Sequence, residues 1–230
     1  MMESALVRMQ KSFPSATTAH ARFDGVLAKL ATMVGIAFLS GILGWQFPNP
    51  ALYLTAMVLG FGLGIAGSFK PQLAQKIAPF YSVAMGFVLG GLSAAYANVG
   101  NGIVPAAIIA TAGIFVGCFA LHKSGLVKVT PRFVQITGVA TFAFFIVIVA
   151  AMIGVPIPGA SELGTRGLLF GVIGLGIALM NLFVDFERAR KVEEGGMSPE
   201  VEWYAAFQLM LSLVMVYVNV LRILASSQRR

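Results

Sequence analysis

Long apolar segments alternate along the chain with short polar stretches. Seven such segments, each about 18 to 22 residues long, can be separated. They cover residues 26–45, 51–69, 77–97, 103–121, 133–153, 167–184 and 203–224. A helix of about 20 apolar residues is long enough to cross the hydrocarbon core of a bilayer. The pattern therefore predicts an all-α integral membrane protein with seven transmembrane helices.

The last of these segments differs from the others because it carries a row of polar side chains. Tyr204, Gln208, Ser212 and Asn219 are spaced by four, four and seven residues. Those intervals place all four side chains on one face of a helix. Polar side chains within a membrane need protein or water around them rather than lipid. We therefore expect the C-terminal helix to be central, with the other helices around it.

The composition supports a membrane protein and excludes an ordinary soluble domain. The chain is 58% hydrophobic and only 11% charged, whereas soluble domains are about 25% charged. The net charge of +7 does not indicate nucleic-acid binding, because the basic residues are not interleaved with exposed aromatic residues on one surface. The lipid bilayer is the expected surrounding, and no nucleic-acid partner is expected.

The polar ends of the chain predict short tails on either side of a membrane domain. Residues 1–25 are polar and lack the short apolar core and small-residue cleavage site of a secretory signal peptide. We expect a disordered cytoplasmic tail over residues 1–25, a transmembrane domain over residues 26–224 and a basic C-terminal tail over residues 225–230.

The orientation follows from the lysine and arginine residues near the ends of the apolar segments, because these residues favour the cytoplasmic side. Twelve of the sixteen lie on the side that carries the N-terminus, and four lie on the other side. The N-terminus is therefore predicted to be cytoplasmic. Seven spans place the C-terminus outside, whereas Arg222, Arg229 and Arg230 favour the cytoplasm, so the side of the C-terminus stays open.

Asp185 is the most informative candidate for chemistry, because it directly follows the apolar segment 167–184. A carboxylate at the end of a membrane helix is costly in lipid and should face protein or water. Asn181 precedes it by four residues and shares its helical face. Two interpretations stay open. Asp185 belongs to an ion pathway or pH-sensing gate, or it is a helix-end acid paired with Arg188 or Arg190.

A charged stretch over residues 187–202 follows, and Gly195 and Gly196 within it predict a flexible loop. Calcium in proteins has about six to eight oxygen ligands. Oxygen atoms for a weak, transient calcium site are available from Asp185, Asn181, Glu187, Glu202 and Ser212. Glu202 has a structural explanation of equal weight, because an acid in the first turn of a helix is stabilised by the helix dipole.

No motif in the sequence indicates catalysis. We find no nucleophile with a base and an orienting group, so the protein is not expected to be an enzyme, and no cofactor is expected. The segment 51–69 contains a GxGxxG match at Gly62, Gly64 and Gly67. A dinucleotide-binding turn requires a strand before these glycines. Here they lie within an apolar segment, where small residues favour close helix packing.

Four stretches of the chain resemble a known family. They are FDGVLAK at residues 23–29, LHKSGLVKVTPRF at 121–133, LMNLFVDF at 179–186 and EWYAAF at 202–207. These stretches are similar to a bacterial branch of the Bax inhibitor-1 family, also called the transmembrane Bax inhibitor motif superfamily. The resemblance implies seven helices with the last surrounded by the other six, and a location in the bacterial cytoplasmic (inner) membrane.

For activity, the resemblance implies a pH-sensitive calcium leak channel. Relatives have paired carboxylates on the sixth and seventh helices, which share a proton in the closed state and open when both are charged. Asp185 matches the acid of the sixth helix, whereas Ser212 stands where the seventh helix carries the other acid. We therefore expect weaker pH dependence than in relatives with two acids. The alternative function is a regulatory membrane protein that binds a membrane protease or another membrane complex.

Overall fold

The computed structural model describes residues 20–47, 49–160 and 162–228. The described residues form seven α-helices, and a short 3₁₀ turn at Pro71–Leu73 precedes the third. The helices are α1 (Phe23–Gln46), α2 (Pro50–Phe69), α3 (Ala74–Ala97), α4 (Ile103–Lys123), α5 (Pro131–Met152), α6 (Thr165–Glu194) and α7 (Val201–Gln228). Each is long and apolar enough to cross a membrane. The prediction of an all-α protein with seven transmembrane helices is confirmed.

Two of the helices begin at a proline, which a helix accepts in its first turn because the backbone N–H groups there have no helical partner. α2 begins at Pro50, where the Asn49 side chain accepts hydrogen bonds from two amides of the first turn. α5 begins at Pro131, and the Thr130 hydroxyl accepts one such hydrogen bond at 3.2 Å. The side chains before these prolines therefore satisfy amides that the helix itself leaves unpaired.

The helices are grouped into two compact units, and α3, α6 and α7 contribute to both. Of the described residues, the first unit contains 20–47, 49–92 and Asp185–Leu211. It includes α1, α2, most of α3, the charged end of α6 and the beginning of α7. Of the described residues, the second unit contains 93–160, 162–184 and 212–228. It includes the end of α3, all of α4 and α5, the apolar part of α6 and the rest of α7.

In the first unit, α1 and α3 approach each other closely through glycines. A Cβ atom at Gly86 would collide with the backbone of Ala37, and one at Gly90 would collide with the backbone of Gly41. Small residues at such positions allow the backbones of two membrane helices to come into contact. Gly86 and Gly90 are spaced by four residues, so they lie on the same face of α3.

Three of the four glycines of α2 also pack against neighbouring helices. Gly60, Gly64 and Gly67 are buried within this helix. A Cβ atom at Gly67 would collide with the ring of Phe207 in α7, and one at Gly60 would collide with the side chain of Met85 in α3. The GxGxxG match therefore lies in the interior of a helix, as the apolar sequence around it predicts. Two of its glycines, Gly64 and Gly67, pack against neighbouring helices, whereas Gly62 is exposed.

α7 is the most buried of the seven helices described. Of its most apolar stretch, 61% is buried, against at most 44% for any other helix. Ser212 and Asn219, two members of its polar stripe, are each only 5% exposed. Polar groups in the hydrocarbon region require such shelter. α7 is thus better sheltered than any other helix described, and its position at the centre of the other six stays a prediction.

The predicted flexible loop over residues 187–202 is wrong for most of its length. α6 continues through the charged stretch and ends at Glu194, so the connection to α7 consists of residues 195–200 only. Ala189 and Val192 are buried on this extension of α6. Charged side chains pair along it at i,i+3 and i,i+4 spacing. Pairs at these spacings stabilise a helix, so a high density of charge does not end α6.

The two predicted tails are shorter than expected in the part of the chain that the structure describes. Residues 1–19 and 229–230 lie outside the described residues, and the disordered N-terminal tail stays a prediction there. α1 already begins at Phe23. α7 continues to Gln228, so most of the predicted tail over residues 225–230 is helical.

We expect Gly90→Ala to destabilise the protein and Gly62→Ala to leave its stability nearly unchanged. The added methyl group at residue 90 meets the backbone of Gly41, whereas the same group at residue 62 meets no atom within 4 Å. Overpacking of this kind costs about 1–3 kcal/mol. Thermal unfolding in detergent should show a lower midpoint for Gly90→Ala alone. Equal midpoints for the two variants would contradict the close approach of α1 and α3.

Candidate functional site

The charged end of α6 contains the candidate residues that follow the apolar segment in the sequence. α6 has 30 residues, which corresponds to about 45 Å at about 1.5 Å per residue. The hydrocarbon core of a bilayer is about 30 Å thick. About one third of α6 therefore extends beyond the hydrocarbon if the helix crosses the bilayer. The charged residues after Val184 form that end.

Asp185 is the first charged residue of this end and is only 3% exposed. Arg188 lies one turn further along the helix, and its Nη1 donates a hydrogen bond to Asp185 Oδ1 at 3.0 Å. The Arg188 side chain is 34% exposed. A buried carboxylate is thus paired with a cation that reaches solvent. Of the two arginines that the sequence offers as partners, Arg188 makes the contact.

Glu187 forms a separate cluster on the same helix. Nη2 of Arg190 donates to both of its carboxylate oxygens, at 2.9 Å for Oε1 and 3.0 Å for Oε2. The ammonium of Lys191 lies 3.4 Å from Oε1, and Arg190 also pairs with Glu194 at 3.0 Å. Hydrogen bonds between arginine and a carboxylate are among the stronger ones in proteins. Glu187 and Glu194 together therefore hold Arg190 on its own helix.

Glu202 lies in the first turn of α7 and pairs with α1. The Lys29 ammonium donates a hydrogen bond to Glu202 Oε2, and the backbone N–H of Arg22 donates to Oε1 at 2.7 Å. Lys29 also lies 5.7 Å from the centre of the Trp203 ring, within the range of a cation–π interaction. Glu202 is 6% exposed. Its two carboxylate oxygens therefore bind the beginning of α1 and the residue that precedes it.

Lys29 is a member of the site that sequence reasoning does not find. It is separated from Glu202 by 173 positions in the chain, and no motif or helical periodicity joins the two residues. The only indication of this contact in the sequence is the position of the two residues. Both residues stand near the end of an apolar segment, on the side where the basic residues are concentrated.

The beginning of the polar stripe of α7 lies next to the charged end of α6. Tyr204 is within electrostatic range of Asp185 and Arg188, and the Gln208 side chain hydrogen-bonds its hydroxyl group. The same hydroxyl donates to the carbonyl oxygen of Ser68 in α2 at 3.4 Å. Three helices, α2, α6 and α7, therefore contribute polar groups to one region of the first unit.

Asn181 and Ser212 belong to the second unit. The Asn181 amide donates hydrogen bonds to Thr141 Oγ1 at 2.7 Å and to a carbonyl of its own helix at 3.0 Å. The amide nitrogen therefore links α6 to α5. Ser212 is 5% exposed. The five candidate oxygen donors that the sequence offers are thus divided between the units, with Asp185, Glu187 and Glu202 in the first.

Within the described residues, no group of three or more His, Cys, Asp and Glu side chains is arranged to hold a metal ion. The buried acids of the first unit instead contact basic groups. A cation at Asp185 would have to replace Arg188 and complete its shell with backbone carbonyl groups and water, which are ordinary ligands of calcium. Each of these three acids is therefore held in an ion pair with a basic side chain.

A family model described as Bax inhibitor 1 like matches residues 4–229, which is nearly the whole chain. The match includes all seven helices and every charged residue of the site. No curated protein is similar enough to the chain to count as a match.

Arg188→Gln should destabilise the protein more than the double substitution Asp185→Asn/Arg188→Gln. The single substitution removes the guanidinium partner of a buried carboxylate, whereas the double one replaces both charges with neutral groups. Loss of a partner from a buried polar group costs about 1–3 kcal/mol, and more for a charged one. Chemical unfolding of the purified variants in detergent micelles measures the difference.

The matched control for this pair is Arg166→Gln. Arg166 pairs with Glu162 at 3.6 Å, and the two side chains are 70% and 47% exposed. Exposed pairs contribute about 0–1 kcal/mol, so this substitution should have little effect. Strictly additive effects of the substitutions at Asp185 and Arg188 would contradict the coupling between them.

Proposed function

The chain belongs to the Bax inhibitor 1 like family, and from this premise we propose that it is a cation-leak protein that passes calcium weakly across a bacterial cytoplasmic membrane. The observation that carries the proposal is the buried carboxylate of Asp185, which directly follows an apolar transmembrane segment. Ionisable residues at such positions are costly and mark ion pathways by default. The resemblance of residues 179–186 to the family supports the same role.

In this proposal Asp185 attracts the cation, and Arg188 competes with the cation for the carboxylate. While Arg188 donates its hydrogen bond to Asp185 at 3.0 Å, the carboxylate is occupied. When Arg188 turns towards solvent, which its partial exposure allows, Asp185 offers its oxygens to a passing ion. A divalent ion would bind them together with carbonyl groups and water. Such a site is transient, which suits permeation better than storage.

We propose no catalytic activity, because movement of an ion down its gradient needs a path and a gate rather than a nucleophile and a base. The second candidate function is regulatory, through binding of a membrane protease or another membrane complex. A permanent ion pair between Asp185 and Arg188 would favour the regulatory function. In that case Asp185 stabilises the end of α6 and takes no part in conduction.

Asp185→Asn should reduce calcium flux into liposomes by about tenfold or more, because a fixed charge of opposite sign raises the local ion concentration and the entry rate by about that factor. Asparagine is nearly isosteric with aspartate, so the folded yield should stay close to that of the unmodified protein. Glu193→Gln is the matched control, since Glu193 lies on the same helix and is exposed. Unchanged flux in Asp185→Asn would assign Asp185 a structural role and favour the regulatory function.

Ser212→Asp should make calcium flux depend more steeply on pH. In relatives an acid on the seventh helix titrates together with the acid of the sixth, and two interacting carboxylates titrate as a pair. The substituted protein should therefore close as the pH falls and the pair takes up its shared proton. The unmodified chain has Ser212 at this position and should respond weakly. Identical pH profiles of flux would show that residue 212 does not act together with Asp185.

We further propose that the N-terminus is cytoplasmic, because twelve of the sixteen lysine and arginine residues lie on its side of the membrane. Reporter fusions after Gly195 and after Gly100 should then report opposite sides, with Gly195 in the cytoplasm. Three helices separate these two positions. The same side for both fusions, or the reverse orientation, would contradict the proposal.

A further inference from the structure

The residues directly before α1 lie along the connection between α6 and α7. We call residues 20–22 the amino-terminal strap. The backbone N–H of Ala21 donates a hydrogen bond to the carbonyl of Met197 at 2.8 Å, and His20 Nδ1 lies 3.1 Å from the carbonyl oxygen of Gly196. Gly196 has a φ of 57°, a left-handed conformation that glycine adopts without strain. Two consecutive residues of the strap are therefore fixed to two consecutive residues of the connection.

Apolar burial reinforces these contacts. Ala21 forms a buried cluster with Val192 at the end of α6, Met197 in the connection and Val201 at the start of α7. None of the four is more than 5% exposed. Because the members of the cluster come from the strap, the connection and both helices, opening the strap exposes apolar surface on all of them at once.

A buried ion pair attaches the helix that follows the strap. Glu202 at the start of α7 accepts hydrogen bonds from the Arg22 backbone and from Lys29 of α1. Lys29 also donates to the carbonyl of Pro199 in the connection, at 3.4 Å. A Cβ atom at Gly25 would collide with the Glu202 carboxylate. The absence of a side chain at Gly25 is therefore what allows the carboxylate to lie against α1.

We propose that the amino-terminal strap and the Lys29–Glu202 pair form a gate lock. The lock holds the charged end of α6, which carries Asp185, and the start of α7, which carries Glu202, against α1, and calcium passes only after the lock has opened. This inference rests on the proposed cation leak and adds its regulation. Loss of one partner of a buried ion pair destabilises the arrangement that contains it, so removal of Lys29 shifts the population towards the open form.

A reversible disulfide tests the gate lock. Ala21→Cys and Met197→Cys are combined with Cys118→Ala, since Cys118 is the only native cysteine. Residues 21 and 197 share a main-chain hydrogen bond and belong to the same buried cluster, and a disulfide requires such closeness. Oxidation should reduce calcium flux into liposomes by about tenfold or more, and reduction should restore it. Calcium flux through the Cys118→Ala variant alone should not change on oxidation or reduction. Equal flux in the oxidised and reduced protein would overturn the gate lock.

Lys29→Met tests the opposite direction, and Lys76→Met is its matched control because Lys76 is exposed on α3. Lys29→Met should raise calcium flux by about tenfold, and Lys76→Met should not. The charge reversal Lys29→Glu/Glu202→Lys should return flux part of the way. It restores an ion pair, but the Arg22 N–H loses its carboxylate acceptor. Flux in Lys29→Met that equals that of Lys76→Met would overturn the gate lock.

Thiol labelling separates the gate lock from the proposed function, because it needs no ion flux. Met197 is 5% exposed, so a cysteine at this position in the Cys118→Ala background should react slowly with a water-soluble reagent. Lys29→Met should increase its reaction rate by about tenfold, since the closed form then opens more often. Faster labelling without flux in any variant would overturn the leak and the gating together. Calcium flux that is present but equal in the oxidised and reduced protein would overturn the gate lock and leave the proposed leak in place.

Discussion

A carboxylate that is buried in a protein surrounded by lipid has no bulk water to solvate it, so it requires a partner. In the described part of the chain, each buried acid contacts a basic side chain. The pairs are Asp185 with Arg188, Glu187 with Arg190 and Lys191, and Glu202 with Lys29. All three acids belong to the first unit. These pairs form along the end of α6 and between the beginnings of α1 and α7.

Local and long-range pairs have different consequences for the protein. The pairs along α6 join residues three or four positions apart, so they extend one helix and do not link it to another. The pair between Lys29 and Glu202 joins α1 to α7, and the amino-terminal strap continues this attachment to the connection after α6. Under the proposed function, an ion that replaces Arg188 at Asp185 would break a pair within one helix, whereas opening the Lys29–Glu202 pair would free two helix ends. The first step suits permeation and the second suits gating.

The sequence predicts most of the fold, because a membrane helix requires little more than length and apolar composition. Asp185 is found in the same way, since it interrupts an apolar pattern. The extension of α6 to Glu194 is encoded in the spacing of its charges, although charge density suggests a loop. The contact of Lys29 with Glu202 cannot be derived from any local pattern. It depends on the tertiary fold, which brings residues 173 positions apart into contact.

The central claim is that the protein itself provides a path for a cation. Electrical recording across a planar lipid bilayer that contains only the purified, folded protein tests this claim most directly. The account predicts small currents that are carried by calcium, with a reversal potential that follows the imposed calcium gradient. Complete absence of such currents at every pH, from protein that is shown to be folded, would contradict it.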